Sequence, residues 1–261
     1  MDLELKGKVA IVTGASRGIG EGIARILAEE GCDLFLVARS GDDLERVAAS
    51  IAAAHGCRAV THVADLLDPK APAAAVAAAI AAFGRLDILV NNAGATKRGD
   101  FFQLNDDDWA SGFGLKFFGA MRMTRSAFPY LEATKGAIVN IIGIGSRTAA
   151  GEFTIGGSVN SALVNFTKAT GDIGRGKGVR VNAINPGHIA TARLEGRIAT
   201  AMQKTNAGRE ETIAKMLAGY GINRFGRPDE IGRLVAYLCS PKAEFIHGTV
   251  IDMDGGETRA L

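Results

Sequence analysis

Short apolar runs alternate along this chain with longer segments whose apolar residues recur at helical spacing. The run 9–12 predicts a buried strand, and residues 22–28 repeat their apolar positions as an amphipathic helix does. Further strands are predicted at 33–38, 59–64, 86–90, 137–142, 179–184 and 248–256. Because strands and helices alternate, right-handed crossovers between parallel strands are expected. The pattern predicts one α/β domain over residues 1–261, a Rossmann-type doubly wound parallel sheet of about seven strands with helices on both faces.

The predicted helices differ in their apolar faces. Helices are predicted at 41–54, 69–83, 106–131 and 156–174, with a last one from 226. The helix at 106–131 carries a long apolar stripe, formed by Trp109, Phe113, Phe117, Met121 and Phe128. Such a stripe packs in the core or against a second subunit. Residues 193–225, by contrast, are polar and only weakly periodic.

A glycine-rich turn lies between the first predicted strand and the first helix. It reads Thr13-Gly14-Ala15-Ser16-Arg17-Gly18-Ile19-Gly20. Its three glycines meet three needs: a tight turn, a close approach of backbone to a pyrophosphate, and close packing of the helix. A strand, a glycine turn and a helix in this order present a helix N-terminus to a phosphate group. The turn therefore predicts a dinucleotide site.

The end of the second predicted strand indicates which dinucleotide is bound. An acidic residue there would bind the ribose 2′-hydroxyl of NAD(H) and repel a 2′-phosphate. This chain has Ala38 and then Arg39, with Arg17 nearby in the glycine turn. Because arginine binds phosphate with two parallel hydrogen bonds, the pair predicts NADP(H) rather than NAD(H). The alternative is that Arg39 is only a solvated residue at a helix start.

Composition narrows the classes of partner and ligand that this chain can bind. The chain has 261 residues and a net charge of +2, without the basic stripe that a nucleic-acid partner requires. No run of about 18 apolar residues is present, so a membrane partner is not expected. The three cysteines, Cys32, Cys57 and Cys239, lack metal-ligand spacing and favour reduced thiols in a cytoplasmic protein. We therefore expect no metal and a small-molecule substrate.

Three motifs together resemble the short-chain dehydrogenase/reductase family. They are the glycine turn, Asn91-Asn92-Ala93-Gly94 after the fourth strand, and Asn185-Pro186-Gly187 followed by Thr191 after the sixth. The resemblance covers nearly the whole chain. It implies a homo-oligomer, a tetramer or a dimer, and a substrate lid at 193–225. It also implies that Asn91 partly faces the cofactor, whereas Asn92 is structural.

The resemblance implies a full set of cofactor-binding residues. They are Gly14, Ser16, Arg17, Gly18, Ile19, Gly20, Arg39, Asp65, Leu66, Asn91, Ala93, Gly94, Asn160, Pro186, Gly187, Ile189 and Thr191. In the family, the acid at position 65 and the next amide hold the adenine ring. The segment from 185 to 191 holds the nicotinamide amide and the phosphates.

The chain departs from the family at its catalytic residues. Family members use a tyrosine as proton donor, a lysine four residues later, a serine upstream and an asparagine on the preceding helix. A gapless match places Gly156 at the tyrosine, Asn160 at the lysine, Gly143 at the serine and Lys116 at the asparagine. The chain's three tyrosines, at 130, 220 and 237, have no lysine four residues later. We therefore expect a divergent member that lacks the standard set.

Several residues are candidates to replace the missing donor. Lys116 is expected to point towards the emptied pocket, where an ammonium can stabilise an oxyanion or donate a proton. Its alternative is a surface lysine paired with Glu152. Ser146, with Arg147 beside it, can bind a substrate oxygen or is a polar loop residue. His188 lies near the nicotinamide end and can titrate, and the pair Gly156-Gly157 predicts an enlarged pocket. Tyr220, in the lid segment, can swing in.

Two functions from different classes fit these observations. The first is an NADP(H)-dependent oxidoreductase acting on a carbonyl, an alcohol or a related small molecule through a non-standard acid/base group. The second is a non-catalytic NADP(H)-binding protein that serves as a sensor or a subunit. The first is favoured because hydride chemistry belongs to the cofactor, whereas the protein supplies position and electrostatics.

Overall fold

The computed structural model describes residues 1–259, so the last two residues of the expected 1–261 domain lie outside it. Within the described residues, one sheet of seven strands has the order β3-β2-β1-β4-β5-β6-β7. Its strands are β1 (Val9–Thr13), β2 (Asp33–Ala38), β3 (Ala59–Val63), β4 (Ile88–Asn91), β5 (Ala137–Ile141), β6 (Arg180–Pro186) and β7 (Val250–Met253). All six pairings are parallel, which confirms the predicted fold class. The order reverses between β1 and β4, and ligands bind at such a switch point.

Helices cover both faces of the sheet. The helices are α1 (Gly18–Glu29), α2 (Gly41–His55), α3 (Ala71–Phe83), α4 (Asp106–Gly112), α5 (Gly119–Thr134), α6 (Thr154–Arg175), α7 (Ala192–Thr205), α8 (Arg209–Tyr220) and α9 (Pro228–Cys239). Because successive strand side chains point to opposite faces, Ala10 and Val12 pack with α1, α2 and α9. Ile11 between them packs with α3 and α5. The sheet is therefore buried on both sides.

The helix expected at 106–131 is interrupted, which corrects the prediction. A π-helical segment, Phe113–Phe118, separates α4 from α5. Gly112 and Gly114 pack tightly against their neighbours here, since a β-carbon on them would lie 2.6 Å from Ile155 and 2.9 Å from Leu67, respectively. Segments of this kind are frequent at functional sites.

The segments that flank the sheet's carboxyl edge are short turns and two polar helices. The loop after β5 forms single 3₁₀ turns at Ile144–Ser146 and Gly151–Phe153, and α6 then begins at Thr154, two residues before its expected start. The weakly patterned segment 193–225 is mainly α7 and α8. Across the described residues no helix is long and apolar enough to cross a membrane.

Candidate active site

The glycine turn forms a tight cradle at the N-terminus of α1. Gly14 and Gly18 have φ of +67° and +61°, a region that favours glycine. A β-carbon on Gly20 would lie 2.2 Å from the Gly14 carbonyl oxygen, so only glycine fits there. Arg17 precedes the helix in an extended conformation and its side chain caps no helix amide. The first amides of α1 are thus directed at the crevice, as a phosphate site requires.

The motif after β4 is tied to the glycine turn. The Thr13 hydroxyl accepts hydrogen bonds from the amides of Asn92, at 2.9 Å, and Ala93, at 3.0 Å. The Asn92 side-chain amide donates to the Thr13 carbonyl at 2.9 Å and to that of Gly14 at 3.3 Å. Asn92 therefore holds the two loops of the crevice together.

Asn91 does not face the crevice, which corrects the expectation from the resemblance. Its side chain is 5% exposed and donates to the Thr124 hydroxyl at 3.0 Å and to Asn140 Oδ1 at 2.9 Å. Asn91 is the last residue of β4, so the alternation of side chains along the strand directs its side chain into the protein, towards Thr124 of α5 and Asn140 of β5.

The residues expected around an adenosine lie at the ends of β2 and β3. Leu66 and Ser16 are buried, and Ile19 is partly buried against the core. The Arg39 guanidinium lies 3.9 Å from the Asp65 carboxylate, and both side chains are exposed. Arg17 is exposed as well. The two arginines therefore leave their charges accessible to solvent beside the glycine turn.

The segment after β6 closes the other side of the crevice. Pro186 ends β6, and a β-carbon on Gly187 would lie 2.8 Å from Asp254, so a side chain there would clash. The Thr191 methyl group lies 3.4 Å from where a β-carbon on Gly18 would be. Ile189, at 8% exposure, packs into the core between them. The end of β6 thus meets the glycine turn directly.

The Lys116 ammonium lies beside Asn160, the residue that the resemblance places at the family's lysine position. Its Nζ donates to the Ile142 carbonyl at 2.5 Å and to Asn160 Oδ1 at 2.7 Å. Asn160 is 2% exposed and also donates to the carbonyl of Gly143 at 3.4 Å. Burial, with a smaller contribution from Arg193, lowers the pKa of Lys116 to about 7. The ammonium comes from the π-helical segment instead of α6.

The space in front of Gly156 is filled by the ring of Phe153. A β-carbon on Gly156 would lie 2.1 Å from that ring, so the expectation of an enlarged pocket is wrong. The Arg98 guanidinium lies 4.0 Å from the ring centroid and bonds to Glu152 at 2.8 Å. The pairing of Lys116 with Glu152 is therefore wrong too, because Arg98 takes that carboxylate.

His188 belongs to a separate cluster with residues of α7, α8 and the C-terminal segment. Its Nδ1 lies 3.0 Å from an Arg197 nitrogen and its Nε2 lies 3.2 Å from Glu257, while its ring stacks on Tyr220. Burial, then Arg197 and Arg98, lower the pKa of His188 to about 4. His188 is therefore neutral at pH 7, which corrects the expectation that it titrates usefully. Its direct contacts do not include Lys116.

Ser146 also stays apart from the lysine in its contacts. Its hydroxyl oxygen is enclosed and has no hydrogen-bond partner among residues 1–259. Arg147, beside it, pairs with Asp252 at 3.3 Å. Of the three catalytic candidates, Lys116 is thus the one whose side chain bonds to a position that the resemblance marks, Asn160, whereas Ser146 meets Gly143 only through its backbone amide, at 3.1 Å.

Sequence reasoning missed Arg98, Arg197 and Glu257. They come from the loop after β4, from α7 and from the C-terminal segment, and no motif joins them. Arg197 also donates to the Tyr220 hydroxyl at 2.7 Å, so the tyrosine of the lid is held by an arginine. Along the chain each arginine has an acid two residues away, Asp100 and Glu195, so the sequence carries no signal for this cluster.

Comparisons with known proteins agree with this geometry. Residues 14–258 match the family model described as enoyl-(acyl carrier protein) reductase. Oxidoreductase UcpA of Escherichia coli K12 is 36% identical over 258 residues, which cover 98% of this chain and 96% of the relative. The chain belongs to the short-chain dehydrogenase/reductase family. Its general class is therefore that of an oxidoreductase.

Other members of the family align over the same length. Meso-2,3-butanediol dehydrogenase of Serratia marcescens is 30% identical over 259 residues, covering 98% of this chain and 96% of that protein. The crystal structure of L-sorbose reductase from Gluconobacter frateurii, complexed with NADPH and L-sorbose, superposes with a TM-score of 0.92. It is 32% identical, and each chain covers 100% of the other.

Proposed function

We propose that this family member is an NADP(H)-dependent oxidoreductase that acts on a carbonyl or alcohol group of a small molecule, with Lys116 as its acid/base group. The observation that carries the proposal is the Lys116 ammonium, hydrogen-bonded to Asn160 Oδ1 at 2.7 Å, with a pKa lowered to about 7. A group that titrates near the operating pH is suited to general acid and base catalysis.

The crevice fits a phosphorylated dinucleotide. Gly14 and Gly18 have the positive φ of a tight turn at the start of α1, and a β-carbon on Gly20 would clash with the Gly14 carbonyl oxygen, so the turn needs glycine to keep the shape that suits a pyrophosphate. Arg17 and Arg39 would bind a 2′-phosphate, and the NADPH complex of L-sorbose reductase supports this choice. When bound, NADPH would supply a hydride to a carbonyl carbon.

In the proposed reaction this chain supplies the proton and orients the group that donates it. A lysine ammonium has three N–H donors, and the Ile142 carbonyl and Asn160 Oδ1 accept two of them. The third is left for a substrate oxygen, on which negative charge develops during reduction. Asn160 is neutral, so it orients the ammonium without raising its pKa as a carboxylate would.

Packing leaves no room for a tyrosine side chain at Gly156. The Phe153 ring takes the volume that a side chain on Gly156 would need. In this proposal the chain is a divergent family member in which a lysine from the preceding helix replaces the tyrosine and lysine of α6. Ser146 is then a candidate for holding the substrate oxygen, because its enclosed hydroxyl has no partner within residues 1–259.

The test is NADPH consumption with a panel of aldehydes, ketones, quinones and conjugated enones. Lys116→Met should lower kcat by about 100-fold or more, while NADPH affinity stays as in the wild type. Lys116→Arg keeps the charge but holds its proton, so it should also be slow. Lys177→Met, which removes an exposed lysine paired with Glu132, is the matched control and should retain full activity.

The pH dependence of kcat shows whether Lys116 acts in its charged or its neutral form. Reduction needs the ammonium, so kcat should fall as pH rises through about 7. Alcohol oxidation needs the neutral amine and should rise over the same range. Unchanged turnover in Lys116→Met would reject the lysine, and no turnover of any compound, together with tight NADPH binding, would favour the alternative of a non-catalytic sensor or subunit.

The same proposal extends to assembly and location. The chain is proposed to be one domain with residues 193–225 as the lid, located in the cytoplasm and assembled as a homotetramer or dimer. An apolar groove on α5 and α6, lined by Met121, Phe128, Phe166 and Ile173, supports a subunit contact there. Light scattering of the wild type and Ile173→Glu measures the oligomer, which the charge should weaken.

A further inference from the structure

We infer that the substrate of this site carries a carboxylate, and that the Arg98 and Arg197 guanidinium groups bind it beside the Lys116 pocket. The inference rests on the proposed function and names its substrate class. It starts from two arginines that neither the fold nor the dinucleotide crevice requires. Arg98 comes from the loop after β4, and Arg197 from α7 in the proposed lid.

Arg197 is a partly buried cation whose contacts are neutral. One of its nitrogens lies 3.0 Å from His188 Nδ1 and another donates to the Tyr220 hydroxyl at 2.7 Å. Because the pKa of His188 is about 4, its ring is uncharged at pH 7 and accepts at Nδ1. No carboxylate oxygen of residues 1–259 lies within 4.0 Å of the Arg197 guanidinium. Its charge therefore has no anion in direct contact within that part of the chain.

Arg98 brings a second positive charge to the same place. Its guanidinium lies over the Phe153 ring, and burial, with repulsion from Arg197, lowers the pKa of Arg98. Two like charges held close together and partly desolvated repel each other, and an anion bound to both relieves the repulsion. A guanidinium presents parallel N–H donors that match the two oxygens of a carboxylate.

These arginines are close to the reaction pocket. The Phe153 ring under Arg98 lies 2.7 Å from where a β-carbon on Gly145 would be, and Asn160 Nδ2 lies 3.2 Å from the same point. Asn160 in turn bonds to Lys116. One aromatic ring thus separates the Arg98 guanidinium from the side chain that holds the proposed proton donor.

The neighbouring acids do not contact the Arg197 guanidinium. Glu152 bonds to Arg98 and is 72% exposed, so its charge is well solvated. Glu257 contacts the far nitrogen of His188, Nε2; burial and then Asp254 raise its pKa, whereas Arg197 lowers it. The Arg197 donors that face neither acid are therefore the ones that a carboxylate would meet.

The test compares oxo acids with their methyl esters, which differ only in the charge. Suitable pairs are 2-oxopentanoate, 4-oxopentanoate and 5-oxohexanoate with the corresponding esters. The wild type should prefer at least one acid by about tenfold or more in kcat/KM. Arg197→Gln and Arg98→Gln should each lower kcat/KM for the acid more than for the ester, and so reduce that preference. Arg209→Gln, a lid arginine paired with Glu195, is the matched control and should keep the preference.

A binding measurement separates this inference from the proposed function. Saturation-transfer NMR of the NADP⁺-loaded protein with the oxo acids reports binding without turnover, because an oxo acid cannot be reduced by the oxidised cofactor. Binding that is lost in Arg197→Gln, without turnover of any compound, supports the inference and overturns the proposed function. Equal kcat/KM for acids and esters, or binding that both arginine variants retain, overturns the inference and leaves the proposed function standing.

Discussion

The two halves of the sheet's carboxyl edge differ in how much of the family's site they keep. Around β1, β4 and the end of β6, backbone and small residues make close contacts, such as those of Gly20 with Gly14 and of Gly187 with Asp254. Around β5 and α6, under the proposed alignment, the family's catalytic side chains are absent. Lys116 and the Phe153 ring lie there instead. One half is built as in other members, and the other is rebuilt.

The difference follows from what each half has to supply. A phosphate site consists of main-chain amides and of glycines that leave room for them, so most substitutions block it. A proton donor is a single side-chain atom, and a different helix can place such an atom at the same point. In our proposal Lys116 does so from the π-helical segment, where its ammonium bonds to Asn160 of α6. Binding and chemistry can therefore change independently in this fold.

Gly20→Ala should have the largest effect and tests the cofactor half. The new β-carbon would lie 2.2 Å from the Gly14 carbonyl oxygen, so the turn must move. We expect a loss of about 3 kcal/mol in the free energy of unfolding and NADPH binding weaker by about 100-fold. Denaturation and fluorescence titration measure the two. Gly176→Ala, where nothing lies within 4 Å of the new carbon, should change neither.

Lys116→Met should show how much the buried lysine lowers the free energy of unfolding at neutral pH. The folded chain has a Lys116 pKa of about 7, against 10.5 when unfolded. Between these values the unfolded chain binds a proton that the folded chain lacks, so stability rises with pH. From pH 7 to 9 the wild type should gain up to about 2.7 kcal/mol relative to Lys116→Met. Urea denaturation at both pH values tests this, and parallel stability profiles would contradict the lowered pKa.

Gly156→Ala tests whether Phe153 closes the vacated space. The added carbon would lie 2.1 Å from the ring, and overpacking of this kind costs about 1–3 kcal/mol. In a Phe153→Ala background the clash is gone, and alanine should be as good as glycine in the helix or better. A double-mutant cycle of unfolding free energies measures the coupling. Gly151→Ala, with open space around it, serves as the control.

Arg39→Asp should have the smallest effect and bears on cofactor choice. An aspartate there would repel a 2′-phosphate and accept a ribose hydroxyl. We expect the ratio of NADPH to NADH affinity to fall by about tenfold or more. Arg46→Asp, an exposed change on α2, is the control and should keep the ratio. An unchanged ratio in Arg39→Asp would mean that Arg39 is only a solvated residue.

Periodicity and glycine spacing were sufficient for the fold, because both are local properties of the chain. Strand ends differed from expectation by one or two residues at most positions, since hydrogen bonding and not apolarity ends a strand. The apolar stripe at 106–131 continues through the π-helical segment and so did not reveal it, and the tight packing of Gly112 and Gly114 there involves residues distant in sequence. Asn91 was misplaced for a related reason: its partners, Thr124 and Asn140, lie on other elements.

The sequence by itself determined the class of sheet and the glycine-rich turn, because each depends on residue types at short spacing. The missing tyrosine–lysine pair on α6 stays a prediction of the alignment. The tertiary structure alone decided that Phe153 fills the vacated volume, that Lys116 meets Asn160, and that Arg98 and Arg197 converge. The last two of those facts join residues 44 and 99 positions apart, and burial lowers the pKa of both Lys116 and Arg98. No local pattern encodes either the distance or the desolvation.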